Sequence, residues 1–268
     1  MKITYLTDIR QFNRTNLTLA LGYFDGVHLG HVKVLSEAVR IAKETNTIST
    51  VLTFSSSIKY FLENKKEEYL TSINDKIDLF KEIGIEEVIF VNLNHEFVSL
   101  TDNEFFDIFL KNVNHVVCGF DYTFGAFGKG NVDTLKMLLK DKLTVIDKLE
   151  IGGVKVGTKE IAYLIKSGKM RDAKEYLGRE YMVEAKLYKR NKYFAINTSS
   201  YVLPKNGYYN LTFLAQGIIE TLTSKIKLID PSNGLLLKET DNLVLEKLFK
   251  ATKHFKVIFA EIDWYNVN

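Results

Sequence analysis

Across the first two thirds of the chain, short apolar runs rich in β-branched and aromatic residues alternate with segments whose apolar residues recur three and four positions apart. LTLALGYF (17–24), TISTVLTF (47–54), EEVIFVNL (86–93), NHVVCGF (114–120) and LTVIDKLEI (143–151) are each short enough to be a buried strand. Between them, Leu35, Ala38, Val39 and Ala42 share one helical face. Ile77, Leu79, Phe80 and Ile83 mark a second helix that stops at Gly84, and Thr101 with Glu104 opens a third running to Lys111. This alternation predicts an α/β fold of crossover units on a parallel sheet.

Past about residue 180 the texture changes. YMVEAKLYKR, KYFAINTSSYVL, GYYNLTFLA and IETLTSKIKLID alternate in polarity, are rich in aromatics and threonine, and carry few helical signals. They predict antiparallel strands forming a small β-barrel or sandwich. A length of 268 residues is open to one or two domains. The shift in texture favours two, residues 1–180 and 181–268. Pro204 and Pro231 fall at plausible turns, and no internal repeat interrupts the pattern.

Composition narrows the function. With 46% hydrophobic and 26% charged residues the chain has ample material for a core. A net charge of +3 suits a small phosphorylated anion and is far below that of a dedicated nucleic-acid binder. No apolar run approaches the roughly 20 residues that span a bilayer, so no membrane partner is expected. The single cysteine, Cys118, has no partner for an intramolecular disulfide, and the chain opens without a signal-like segment. Both features predict a cytoplasmic location. Oligomeric state is not legible.

The most informative junction lies at residues 19–44, where a strand breaks at Gly22 and a helix begins after Asp25-Gly26-Val27-His28-Leu29-Gly30-His31. Gly22 and Gly26 allow a sharp turn with close backbone approach, and the helix start offers free N–H groups and a positive dipole end, as a phosphate requires. His28 and His31 are two of only five histidines and stand one turn apart. Together they can face one anion and stabilise charge that builds on a phosphoryl group. Against this stands a plainer reading, in which the histidines only cap backbone groups and Asp25-Gly26 is an ordinary turn.

Gly22-Tyr23-Phe24-Asp25-Gly26-Val27-His28-Leu29-Gly30-His31 closely resembles the GxFDGxHxGH signature of the bacterial FAD synthetase family, the bifunctional riboflavin kinase/FMN adenylyltransferases. Two further stretches resemble the family in the same order: Cys118-Gly119-Phe120-Asp121-Tyr122-Thr123-Phe124-Gly125 with Gly128-Lys129-Gly130, and Ser167 to Tyr181, which is similar to its GDVxxAxxLLGRPY linker. The resemblance covers roughly residues 17–182. It implies a Rossmann-like nucleotidyltransferase domain followed by a riboflavin-kinase-like barrel.

What the resemblance implies for chemistry is transfer of AMP from ATP, with Mg²⁺, to FMN, giving FAD and pyrophosphate. His28 and His31 would be catalytic. Gly22, Phe24, Asp25, Gly26, Gly30, Thr158 and Lys159 would hold ATP and its phosphates, while Thr53, Phe54, Gly119, Asp121, Phe124, Gly125 and Lys129 would form the nucleotide and flavin loops. No metal-ligating residues are expected. Phe124 suits core packing better than Phe127 does.

The chain departs from the family at three places. Thr53-Phe54-Ser55-Ser56-Ser57-Ile58 lacks the family's proline-histidine-proline. Gly157-Thr158-Lys159-Glu160-Ile161-Ala162 stands where the family has SSTxIR, so a lysine replaces one polar residue and Ala162 replaces the arginine. A lysine is a point charge without the two-pronged grip of an arginine. Around Tyr193 to Thr198 the family's kinase block is absent, although Leu203 to Tyr209 resembles its PxxGVY strand. These departures predict a barrel without riboflavin kinase activity. They also leave open a flavin- or nucleotide-binding regulatory relative, or transfer to a different phosphorylated acceptor. His95, His115 and His254 are expected to be structural or at the surface, Cys118 a core residue, Glu246 and Glu261 surface charges, and Trp264 packed on the barrel.

Overall fold

A computed structural model describes residues 1–65, 67–190, 193–197, 200–215, 218–230, 234–238, 242–252 and 254–261. The chain divides into two compact units, Met1–Glu67 with Ile73–Val156, and Glu68–Ser72 with the residues from Gly157 onward.

The first unit runs β1 (Lys2–Leu6), β2 (Leu17–Leu21), α1 (Leu29–Thr45), β3 (Ile48–Phe54), α2 (Ile58–Glu63), α3 (Ile73–Ile83) and β4 (Glu87–Val91). It continues through α4 (His95–Val98), α5 (Asp102–Phe105), β5 (His115–Gly119), β6 (Thr123–Phe124), β7 (Gly130–Asn131), α6 (Val132–Leu139), β8 (Leu143–Ile146), β9 (Glu150–Ile151) and β10 (Val154–Lys155). Six strands form one parallel sheet in the order β1-β4-β3-β2-β5-β8.

All five residues of β2 are buried, as a central parallel strand covered on both faces demands. Its alternation splits the core. Leu19 and Leu21 face a cluster with Phe97, Phe105 and Phe109, whereas Ala20 faces Leu35 and Ala38 of α1. From β2 the chain winds through α1, β3 and β4 toward one edge, then returns to place β5 on the other flank of β2. Open α/β sheets bind ligands at the carboxyl ends of strands beside such a reversal.

Several sequence expectations change in detail. β1 is a sixth strand that KITYL did not announce, paired in parallel with β4. The run 17–24 leaves the sheet after Leu21, and 143–151 breaks into β8 and the hairpin strand β9. The helix from Thr101 begins with the expected reciprocal cap between Thr101 and Glu104, then widens into a π-turn over Phe106–Leu110.

The second unit holds α7 (Thr158–Lys166), α8 (Met170–Leu177), β11 (Tyr181–Arg190), β12 (Tyr193–Asn197), β13 (Gly207–Ala215), β14 (Ile218–Asp230), β15 (Gly234–Lys238), α9 (Asn242–Ala251) and β16 (His254–Glu261). The six strands close into an antiparallel barrel in the order β11-β12-β15-β14-β13-β16. Leu187, Phe194, Leu211, Phe213, Val257 and Phe259 are among its buried residues. Helix α9 has no counterpart in the sequence reading. Thr198, Pro231 and Trp264 lie outside the described residues, as does the side chain of Glu261. Among the described residues no helix is long and apolar enough to cross a membrane.

Candidate active site

The loop from β2 into α1 is wound tightly. Phe24 (φ 54°), Gly26 (φ 81°) and Val27 (φ 38°) all occupy the left-handed region. That is ordinary for glycine but costs on the order of 1–3 kcal/mol for a β-branched residue such as Val27. Burial holds the strain in place, since Phe24 and Val27 sit in the cluster with Leu35 and Phe80. A Cβ on Gly22 would lie 2.9 Å from the Phe24 ring, so only glycine lets that ring fold back over the strand end. The Phe24 side chain is therefore a wedge in the core, which leaves only its backbone to meet a ligand.

The histidines lie together where α1 begins. Their rings stack at 3.6 Å between centroids with 19° between planes, and the Phe24 ring stands edge-on to His31. His28 is the N-cap of α1, its Nδ1 accepting from the His31 amide at 3.3 Å. The capping reading is thus correct, and it sharpens the chemical one. An accepting Nδ1 fixes the proton of the neutral ring on Nε2, which makes that atom an N–H donor. A Cβ on Gly30 would come within 3.1 Å of the His28 ring, so the smallest residue keeps the ring's place open.

Beneath the loop, the Tyr23 carbonyl accepts from Thr53 Oγ1 and from Lys76 Nζ, both at 3.1 Å. The Tyr23 hydroxyl donates to Glu67, whose Oε1 also receives the Ser57 amide at 2.7 Å. Lys76 is 1% exposed, and its ammonium stands 3.7 Å from the centre of the Tyr23 ring. Burial pushes its pKa down to about 8, opposed by the charges of Asp25 and Glu67. The sequence reading missed Lys76, although its place one helical turn from Ile73 and Phe80 on the apolar face of α3 was a signal.

The second loop follows β5. The Phe120 amide donates to Ile146, and Asp121 accepts from Lys155 Nζ at 2.6 Å, which also lies over the Phe120 ring. Gly125 (φ 71°) cannot be replaced without collision, since its Cβ would meet the Asp102 amide at 2.7 Å. Phe124 is buried against Phe105, while Phe127 is 99% exposed. Lys129 is exposed and Phe54 packs edge-on against Phe97. Burial pushes the Cys118 thiol up to about 12, which suits a core residue rather than a nucleophile.

Thr158 and Lys159 belong to the second unit, where they form the first turn of α7. The structure thus brings His28, His31, Gly22, Phe24, Asp25, Gly26, Gly30 and Thr53 into one loop with its support, and carries Gly119 at the end of the neighbouring strand β5, with the residues to Lys129 in the segment that follows it.

A family model described as FAD synthetase matches residues 10–160. A bifunctional riboflavin kinase/FMN adenylyltransferase of Listeria monocytogenes is 31% identical, the match covering 99% of this chain and 89% of that protein. An FAD synthetase of the same organism is 27% identical over 88% of this chain and 96% of its own length. A crystal structure described as a macrolide-efflux protein from Streptococcus pneumoniae superposes with a TM-score of 0.81 at 21% identity, covering 98% of this chain and 93% of that one, a likeness of fold. On the family match and the Listeria relatives, this chain belongs to the FAD synthetase family.

Proposed function

We propose that this chain is an FMN adenylyltransferase working without riboflavin kinase activity. In the reaction a phosphate oxygen of FMN attacks the α-phosphorus of Mg-ATP in line. The bond from that phosphorus to the bridging oxygen breaks, FAD forms and pyrophosphate leaves. The observation that carries this reading is the stacked His28–His31 pair at the start of α1, with its ring tautomer fixed by the cap.

His28 Nε2–H, the His31 ring and the amides of the loop would meet the phosphoryl oxygens as charge builds on them, in a frame set before substrate arrives. Gly22, Gly26 and Gly30 let backbone and phosphate approach closely, with Phe24 and Asp25 shaping the turn. Thr158 and Lys159 would assist the β- and γ-phosphates. Thr53 supports the loop from below, and the segment from Gly119 through Asp121, Phe124 and Gly125 to Lys129 would frame the nucleotide or flavin, with Phe54 and Phe124 acting from the core. Among the described residues no three His, Cys, Asp or Glu side chains cluster as a metal cage. Magnesium enters as part of the Mg-ATP substrate. Residues 1–180 are assigned to the transfer reaction and 181–268 to the barrel. The lone buried Cys118 and a nucleotide substrate suit a cytoplasmic setting.

The test is chromatographic separation of products after incubation with Mg²⁺ and ATP, run once with FMN and once with riboflavin. FAD from FMN and no FMN from riboflavin is the expected result. A second reading, a regulatory flavin or nucleotide binder, rests on Ala162 standing where the family has arginine. Binding of FMN or ATP without product in either run would establish it instead.

A further inference from the structure

We propose that Lys76 is a positioning residue that clamps the strained Gly22–His31 loop into its phosphate-binding shape. The proposal rests on the adenylyltransferase reading for its effect on rate, though not for its effect on the loop.

Three observations converge on it. Lys76 is almost wholly removed from solvent, so its ammonium has lost nearly all hydration. What it meets instead belongs to the loop or its anchor: the Tyr23 carbonyl at 3.1 Å, the Tyr23 ring at 3.7 Å, and the facing charges of Asp25 and Glu67. The residues directly after Tyr23 are those held at positive φ, including the β-branched Val27. A backbone so disfavoured persists only where the surroundings over-determine it.

A buried ammonium is a poor device for stability alone. Desolvation of this ammonium outweighs the attraction of Asp25 and Glu67, so the charge itself opposes folding. Methionine at position 76 keeps much of the length and removes the charge. If Lys76 served only to hold the fold, its loss would loosen the whole sheet. If it positions the loop, the fold survives while the turn relaxes and the His28 and His31 rings drift from the reacting phosphate. Misplacement of about 1 Å costs on the order of 10²-fold in rate.

The experiment compares the full chain with Lys76→Met, using Lys76→Gln if the first variant does not fold. Amide hydrogen exchange without substrates is expected to speed at least tenfold across residues 23–31, with exchange in β3, β4 and β5 unchanged and the melting temperature unchanged or raised. With FMN and Mg-ATP, kcat is expected to fall on the order of 10²-fold with little change in KM for ATP. The wild-type rate is expected to fall as Lys76 loses its proton near pH 8, and the variant is expected to show no such fall. Unchanged exchange at 23–31, or a lowered melting temperature with faster exchange throughout the sheet, overturns the proposal. If the wild-type chain makes no FAD, the functional reading fails while the exchange comparison still decides the role of Lys76.

Discussion

His28 caps α1 through its Nδ1, and as a neutral ring it carries an N–H donor on its Nε2. Asparagine can perform the first task and not the second. His28→Asn is expected to melt within about 1 kcal/mol of wild type while kcat falls roughly 10²- to 10³-fold, a split that thermal denaturation and FAD assay together will reveal. Gly30→Ala tests the same ring from its neighbour. A Cβ 3.1 Å from His28 Cε1 pushes the imidazole aside while leaving the helix intact, so activity should fall with little loss of helicity by circular dichroism. Lys76 supplies a pH dependence whose sign is fixed. Its folded pKa is about 8, below the unfolded value near 10.5, so the unfolded chain holds this proton more tightly. The burden on stability is therefore full below pH 8 and disappears as pH rises toward 10.5. Between pH 7 and 9.5, wild type is expected to gain about 2 kcal/mol relative to Lys76→Met in urea unfolding. The histidine pair was legible in the sequence because its motif is local. For Lys76 only its place on an apolar helix face was legible, because its partners on the loop and at Glu67 come together only through the fold.

At the scale of elements, the loop between β5 and α6 shows what pattern reading can and cannot deliver. Its glycines announced a tight turn, but not that Gly125 presses on the backbone at the start of α5. Gly125→Ala must accept both an unfavourable positive φ and overlap with Asp102 at 2.7 Å, whereas Gly128→Ala accepts a positive φ as well but meets only the Thr123 side chain, at 3.4 Å. The first is expected to cost about 2–4 kcal/mol and the second about 1 kcal/mol, measured by denaturant unfolding of the two variants. The elements that escaped the sequence reading share a cause. KITYL is five residues long and is followed by no clear helical run before β2, so nothing local identifies it as the edge partner of β4. The π-turn over Phe106–Leu110 carries the apolar spacing of a helix, and spacing alone does not reveal the wider hydrogen-bond ring.

Over the whole molecule, the change of texture near 180 coincides with the start of the first barrel strand at Tyr181. Helices α7 and α8 precede that point yet group with the barrel, because Met170, Ala173, Tyr176 and Leu177 form a buried face on α8, which contacts β11 and β16. A further piece of the second unit is borrowed from far earlier in the chain. Residues 68–72 lie between α2 and α3, yet Tyr69 donates its amide to Ser200, accepts from the Val202 amide, and sets its ring edge-on to Tyr201 at 4.8 Å. Lys166 of α7 pairs with Glu68 beside it. No periodicity in the sequence announces such a strap, since it consists of one bridging residue and the backbone of another segment. Glu67, its immediate neighbour in the chain, carries the Tyr23 hydroxyl and the Ser57 amide within the first unit. Tyr201 is 5% exposed, and Tyr201→Ala removes the buried ring against which Tyr69 packs. A loss of about 3–5 kcal/mol in the second unit is expected, close to that of other buried aromatic truncations. Limited proteolysis of the full-length variant should cut within residues 64–72 well before any cut in the sheet, and amide exchange in β2, β3 and β5 should stay at the wild-type rate. Cleavage spread evenly over both units would mean that the strap and the sheet unfold as one.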